Sequence, residues 1–314
     1  MTEAPHLATS IVIPAFNEAR RLGAGYDRLR DVLEAMDPER IEVVVVDDGS
    51  TDDTLRVAHQ VYGHLPHTRF VRQPVNKGKG AAVRLGIGVA LGERVIATDA
   101  DLSIRPQHFP ELLAALEHAD IAPGSRLKEG SNAYDSPLRT VAARVFNVLV
   151  RHYTGTTLRD TQCGAKAYRR GPARVLGLLG HYERFIYDAE NLYLAGRLGL
   201  SVRPVPVTWD DIVGSSVRVG RDSLQMIRDL RSFSRTRYEN PAVELRADVD
   251  LAAVADAARA TRLSGLALAR GAADALLVLG RDGAVGGVGV AEALGGRLRT
   301  TSLDELSGRS FEAV

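Results

Sequence analysis

The chain is predicted to adopt an α/β fold with a mainly parallel sheet followed by a small α/β appendage, and two observations carry that prediction. From Ser10 to about Thr98, short β-branched runs alternate with stretches of helical spacing, the pattern of strands joined by crossover helices. The strand candidates are near-continuous apolar runs, IVIPAF and IEVVVVDD above all, as expected of strands covered on both faces. A length of 314 residues with 45% apolar composition can bury such a core.

In chain order the first strand is IVIPAF, followed by a helix near Arg20 to Met36 and a strand at IEVVVVDD. A helix from about Asp52 to Tyr62, a strand at TRFVRQ, a helix from about Lys79 to Leu91 and a strand at RVIATDAD come next. After Ser125 there are a basic helix from about Leu138 to His152, the loop RDTQCG, a helix around Asp188 to Leu198 and a strand SVRPVPV. Gly214 to about Tyr238 reads as a loop and then an arginine-rich helix. Beyond Pro241 the composition shifts to Ala, Gly, Val and Leu with regular breaks, which divides the chain into residues 1–240 and 241–314. There DLAAVADAARATR is helical, and ADALLVLGRDGAVGGVGV reads as a hairpin turning at Asp282 and Gly283. This unit faintly resembles a CBS-type unit.

Forty basic against 39 acidic residues leave a net charge of +1, so no global field favours nucleic acid as a partner. The single cysteine, Cys163, excludes an internal disulfide and a multi-cysteine zinc site, and with it a cytoplasmic location is expected. The histidines show no metal-ligand spacing. MTEAPHLATS lacks a basic stretch leading into an apolar one, and nowhere do 18 apolar residues run together, so any membrane contact is expected to be peripheral. Its candidate is the basic helix, with Val145, Phe146 and Leu149 at helical spacing and Arg139, Arg144 and Arg151 elsewhere on it. Such a helix can lie on an anionic membrane or pack on a soluble core.

In a parallel sheet, ligands bind beyond the carboxyl ends of the strands. Four polar clusters fall there: Pro14 to Glu18, Asp47 to Asp53, Asn76 to Gly80, and Asp99 to Ser103. The D-x-D of Asp99 and Asp101 suits a divalent cation shared with substrate phosphates. In VDDGSTDDT, Gly49 allows a tight turn and Ser50, Thr51 or Asp52 can cap the next helix. The adjacent Asp47 and Asp48 have no evident structural purpose, and can accept hydrogen bonds from a base N–H and ribose hydroxyls. NKGKGAAV brings glycines and a helix N-terminus suited to an anion, without the pattern of a P-loop or a G-x-G-x-x-G turn.

Together, IVIPAFNEA, VVVVDDGSTDDT, NKGKGAAV and ATDADLS resemble the inverting glycosyltransferases of family 2, which have the GT-A fold and use nucleotide-diphospho-sugars; the resemblance covers about residues 9 to 238. Further along, GSR at Gly124 to Arg126, RDTQCGAKAYRR, FIYDAENLYLAGRLGL and PVTWDDIVGSS are similar to the dolichyl- and polyprenyl-phosphate β-glucosyltransferase branch. The resemblance implies transfer of glucose from UDP-glucose to a lipid phosphate, with Mg²⁺ or Mn²⁺. It implies that Pro14, Phe16 and Glu18 line the nucleotide pocket, with Asp48 at the base, Asp47 as a second candidate beside it, and Lys77 and Lys79 near it. Asp99 and Asp101 match the metal-binding pair, Asp101 the stronger ligand, and Arg126 falls on the donor side. Asp160, Gln162, Cys163 and Gly164 fall on the acceptor side, with no catalytic role for Cys163. Asp188 matches the position of a general base.

Where relatives often have Gly-Ser-Lys, this chain has Gly214, Ser215 and Ser216. Arg218 or Arg221 can take the place of the missing diphosphate contact, because guanidinium pairs with phosphate in a fork. Two other functions stay open: the same donor chemistry on a soluble hydroxyl acceptor, and a non-catalytic nucleotide-sugar-binding protein.

Overall fold

A computed structural model describes residues 7–126, 137–210, 212, 219–261, 266–281 and 284–314. Its first sheet is built from β1 (Thr9–Ala15), β2 (Ile41–Asp47), β3 (Thr68–Arg72), β4 (Arg94–Ala97), β5 (Ile121–Ser125), β6 (Lys166–Arg169) and β7 (Val205–Pro206). The order is β3-β2-β1-β4-β6-β5-β7. The first four strands are parallel, and β6 runs against both β4 and β5. β1 and β2 are buried almost throughout, which is why they read as unbroken apolar runs. The exception, Glu42, is 2% exposed and fully engaged: it accepts from Ser10 Oγ at 2.5 Å and Leu91 N at 2.9 Å, and Arg69 lies 3.2 Å away.

Helices cover both faces. α1 (Leu22–Ala35), α2 (Thr54–Tyr62) and α4 (Phe109–Ala115) bury Leu22, Leu29, Tyr62, Phe109 and Leu112 against one side. α3 (Lys79–Val89), α6 (Arg170–Leu179) and α7 (Tyr187–Leu198) bury Val83, Ile87, Leu176 and Leu194 against the other. α7 carries Asp188 and Glu190 in its first turn, where the helix dipole favours anions, and ends on Gly199 at φ 74°. α5 (Pro137–Thr154) and α8 (Val219–Ser232) pack beside α7 through Phe146, Leu149, Val150, Leu230 and Phe233.

A second, antiparallel sheet is formed by β8 (Glu239–Arg246), β9 (Ala267–Arg270), β10 (Asp274–Val278), β11 (Arg297–Ser302) and β12 (Ser310–Ala313), in the order β11-β8-β10-β9-β12. Around it lie α9 (Leu251–Ala260), α10 (Ala284–Leu294) and the short α11 (Leu303–Leu306). One face of this sheet shares a core with α6 and α7 through Ala267, Ala269, Leu276 and Val278. The other face is covered by α9 and α10 through Val254, Ala258, Val290 and Ala291.

Three features depart from expectation. The segment read as the second strand of a hairpin is the helix α10; its Gly287 sits so close to Leu279 and Leu298 that an added Cβ would approach them to 2.5 and 2.9 Å, and this seat on the sheet overrides local propensity. The turn at Asp282 and Gly283 lies outside the described residues. SVRPVPV supplies only the two residues of β7 and a bridge at Val202, because its prolines remove ladder donors. The elements α4, β5, β6 and α6 in the first unit, and β8, β9, β11, α11 and β12 in the second, are additions to the sequence reading. β6 escapes it because the strand begins with a lysine that is 1% exposed.

β12 rests on the first turn of α6, where a Cβ on Gly171 would lie 1.9 Å from Phe311 O. Gly171→Ala is therefore expected to destabilise the protein by about 1–3 kcal/mol. Gly196→Ala, on the exposed face of α7 with nothing within 4 Å, should instead stabilise it by up to about 1 kcal/mol. Thermal melts of both variants check the pair. Equal shifts would contradict the packing of β12 on α6.

Candidate active site

The four polar clusters converge at the carboxyl ends of β1 to β4, as parallel pairing requires. The first two are stitched together: Asn17 N donates to Ser50 Oγ at 3.0 Å, Glu18 N to Thr54 Oγ1 at 2.7 Å, and Thr51 N to Asn17 Oδ1 at 2.9 Å. Asn17 holds φ 55° to make this turn. Gly49, at φ 70°, lies against the backbone of Val75 and Asn76 so closely that a Cβ would come within 2.5 Å.

Asp47 and Asp48 are both buried but differently employed. The Asp48 carboxylate accepts from Gln73 Nε2 and Asn76 Nδ2 at 2.8 Å each, Lys77 N at 2.9 Å and Gly78 N at 2.7 Å. It thereby shapes the loop that opens α3. Burial still outweighs these donors and holds its pKa above the ordinary value. Asp47 Oδ1 accepts from Ser50 N at 2.9 Å. Its Oδ2 is buried without a hydrogen bond, with Arg72 Nε at 3.2 Å outside donor geometry. The register opposing Asp47 to Arg72 makes that approach.

The Asp99 carboxylate lies 2.5 Å from Lys79 Nζ. Gly164 backs it so tightly that a Cβ there would fall 1.9 Å from Asp99 Oδ2. Burial acts to raise the Asp99 pKa, but Lys79, Lys166 and Arg126 together hold it below the usual range. For Lys79, burial is outweighed by Asp99, Asp188 and Asp101, and its pKa is raised. The chain then turns through Leu102, fully buried at φ 49°, a strained conformation for a branched side chain. That turn directs Ser103 N to Asp101 Oδ1 at 3.1 Å and, among the described residues, leaves Asp101 Oδ2 facing Arg21, 3.7 Å away. Burial and the neighbouring Asp99 raise the Asp101 pKa. Burial likewise raises that of Glu18, despite its pairing with Arg21, and Glu18 Oε2 is buried without a partner.

Deeper in, Asp188 pairs with Lys166, side chains 5% and 1% exposed, and Lys166 Nζ also donates to Cys163 O at 2.7 Å. Asp160 takes Arg126 in a fork, Nε and Nη2 both at 2.8 Å, together with Arg126 N at 2.9 Å. Although burial opposes it, that pairing lowers the Asp160 pKa. Cys163 is fully buried and its thiol is pushed up to about 11 by burial, consistent with a packing role.

The structure thus brings together Glu18, Asp47, Asp48, Lys79, Asp99 and Asp101, with Gly164 and Asp188 behind them. Pro14 is half-buried, Gln162 is half-buried with its Nε2 unpartnered, and Phe16 and Lys77 are exposed. Arg218 lies outside the described residues, as does the side chain of Arg221. Sequence reasoning missed Lys166, although it stands inside the quoted CGAKAY. It also missed Arg21, and Gln73 as a partner of Asp48. Asp210 of the TWDD segment proves to be a clamp, held by Arg28 at 2.9 Å and Arg105 at 2.9 Å.

Among the described residues no three His, Cys, Asp or Glu side chains converge on a metal position. The acidic pair nevertheless fits a hard cation completed by substrate oxygens: Asp101 offers a carboxylate oxygen with no hydrogen-bond donor on it, and the unpartnered Glu18 Oε2 adds negative potential beside it.

Residues 10–177 match the Glycosyl transferase family 2 domain. The chain is 36% identical over 245 residues to the dolichyl-phosphate beta-glucosyltransferase of Drosophila melanogaster, covering 73% of this chain and 75% of that one. To the human protein of the same name it is 35% identical over 252 residues, covering 75% and 77%. Among solved structures, glucosyl-3-phosphoglycerate synthase from Mycobacterium tuberculosis in complex with uridine diphosphate is similar, with a TM-score of 0.55, 25% identity and coverage of 72% and 79%. Mannosyl-3-phosphoglycerate synthase from Rubrobacter xylanophilus shares the fold, with a TM-score of 0.57, 19% identity and coverage of 73% and 76%. With its parallel sheet, acidic rim and these likenesses, the chain belongs to glycosyltransferase family 2, and is a glycosyltransferase of the GT-A fold.

Proposed function

We propose that the protein transfers glucose from UDP-glucose to a polyprenyl or dolichyl phosphate with inversion at the anomeric carbon. The observation that carries the acceptor class is the buried pairing of Asp188 with Lys166. A carboxylate engaged with a buried ammonium already has a structural task, and protonating it would leave that ammonium buried without its counter-charge. A hydroxyl acceptor needs such a base, whereas a phosphate monoester, with a second pKa of about 6, is already largely dianionic near neutral pH. The names of the relatives at 35–36% identity support the same acceptor. The uridine diphosphate in the solved neighbour supports the donor.

In this reading a phosphate oxygen attacks the anomeric carbon on the face opposite the nucleotide, and the bond to the diphosphate breaks with its electron pair leaving on UDP. Asp101, supported by Asp99, would hold Mg²⁺ or Mn²⁺, which supplies positive charge to the departing diphosphate. Lys79 fixes Asp99. Asp47, through a buried oxygen that accepts no hydrogen bond and has Arg72 beside it, would be the better acceptor for the base N–H, because all the donors around Asp48 serve the loop. Asp188 and Lys166 form the floor under the acceptor side rather than a proton relay.

The lipid would be met at a membrane surface. No helix among the described residues is long and apolar enough to cross one. On α5, Val145 and Val148 are 55% and 54% exposed while Phe146 and Leu149 face the protein. Arg151 and His152 on α5, and Arg228 and Arg231 on the neighbouring α8, are also exposed. Such a mixed apolar and basic surface suits peripheral contact with anionic lipid.

Radiolabel from UDP-glucose is expected to enter solvent-extractable lipid when the protein is given undecaprenyl phosphate and Mg²⁺ or Mn²⁺, and EDTA should abolish it. Metal-dependent UDP release only with a small hydroxyl acceptor would overturn the lipid reading. Asp101→Asn should lower kcat by roughly a thousandfold, several kcal/mol of transition-state stabilisation, with an unchanged circular dichroism spectrum. Asp47→Ala and Asp48→Ala should part company. The first is expected to raise the KM for UDP-glucose about tenfold, the worth of one buried hydrogen bond, with a modest loss of melting temperature because Asp47 holds one loop amide, that of Ser50. The second should lower the melting temperature further, because Asp48 holds four donors.

A further inference from the structure

The C-terminal carbonyls of a helix lack intrahelical partners, and those of α6 are met from outside the first sheet's unit. Asn240, at the start of β8, donates from Nδ2 to Leu178 O at 3.2 Å and to Leu279 O at 2.9 Å. Arg281, just after β10, places Nη2 2.8 Å from Leu179 O, 2.9 Å from Gly180 O and 2.5 Å from His181 Nδ1. A cation at a helix C-terminus is favoured by the helix dipole as well.

The loop after α6, residues 180–186, stands between that cap and the N-terminus of α3. It is held by Glu190, which accepts from His181 N at 2.7 Å and Tyr182 N at 3.0 Å, and by Arg84, which donates to Tyr182 O at 2.7 Å. On its far side the loop carries the N-terminus of α3. Ala81 N donates to Glu183 O at 2.9 Å. Gly78, at φ 112°, and Gly80 press so near that a Cβ on either would fall 2.7 Å from Glu183 O or 2.8 Å from Tyr182 O. Gly78 N and Lys77 N are two of the donors to Asp48, and Lys79 is the partner of Asp99.

We infer that the C-terminal unit is part of the donor site's scaffold, with Arg281 a positioning residue that acts through the 179–187 loop on residues 77–80. The inference rests on the proposed donor reading for its ligand but not for its geometry. Arg281 touches no reacting group. Removing it takes one donor from Leu179 O, which then keeps only the His181 ring beside it, and one from Gly180 O, loosens the loop, and lets the amides and lysine that face Asp48 and Asp99 lose their register.

The test joins hydrogen exchange at residues 77–83 with calorimetric titration of UDP in the presence of Mn²⁺, on the full chain. Arg281→Ala is expected to speed exchange in that segment and to weaken UDP binding about tenfold, with Arg281→Lys in between. Unchanged exchange and unchanged UDP affinity, with only a lower melting temperature, would reduce Arg281 to a helix cap and overturn the inference. If Arg281→Ala does not fold, Arg281→Lys and Arg281→Gln carry the same two readouts against the wild type. Faster exchange in a protein whose wild type binds no UDP would uphold the brace and remove the donor reading instead.

Discussion

The site depends on one electrostatic constraint: five carboxylates, of Glu18, Asp47, Asp48, Asp99 and Asp101, crowd the ends of three strands, β1, β2 and β4, and a low-dielectric rim tolerates them only if each has its own counterpart. Backbone and amide donors serve Asp48. Lys79 serves Asp99, and Arg21 serves Glu18 and approaches Asp101. The compensation is incomplete, since Asp101 and Glu18 keep raised pKa values and each has an oxygen with little to hold it. In the proposed function a cation and the donor diphosphate would meet that residual charge. The loops and glycines around it bring these groups within reach of one another.

How much of this is legible in sequence depends on how local each signal is. The strand ends announce themselves because β1 to β4 are parallel and buried, so polar residues after each apolar run fall on one rim. Gly49 and the D-x-D pair are local for the same reason. The identity of Asp48's partners is not local: Gln73 and Asn76 stand some 25 residues away, and only the pairing of β2 with β3 brings them in. Lys166 reads as a surface residue beside Arg169 and Arg170, yet it begins a central strand. Nothing in its neighbours states that Asp188 will be buried opposite it. α10 shows the limit of pattern reading from the other direction, since its Gly- and Val-rich run has strand composition and becomes a helix because a sheet awaits its small residues.

The proposed acceptor chemistry rests on the second layer of charges. Lys166 and Asp188 lie beneath the rim, and Gly164, two residues before Lys166, touches Asp99. In the proposed function the floor of the acceptor side and the back of the metal-binding pair would therefore be one short segment, residues 163–166. That floor, a carboxylate paired with an ammonium, is charge-neutral. It would suit a nucleophile that arrives already ionised, and would tie acceptor placement to the geometry of the Asp99 and Asp101 pair.

The most direct measurement is kcat with undecaprenyl phosphate for the double variant Lys166→Met/Asp188→Asn, which removes the buried pair without leaving one charge alone. If Asp188 is structural, kcat should stay within about tenfold of the wild type, since no base step is lost. A loss beyond roughly a thousandfold, in a protein that still folds and binds UDP, would mean that Asp188 takes a proton in the reaction, and would contradict the account.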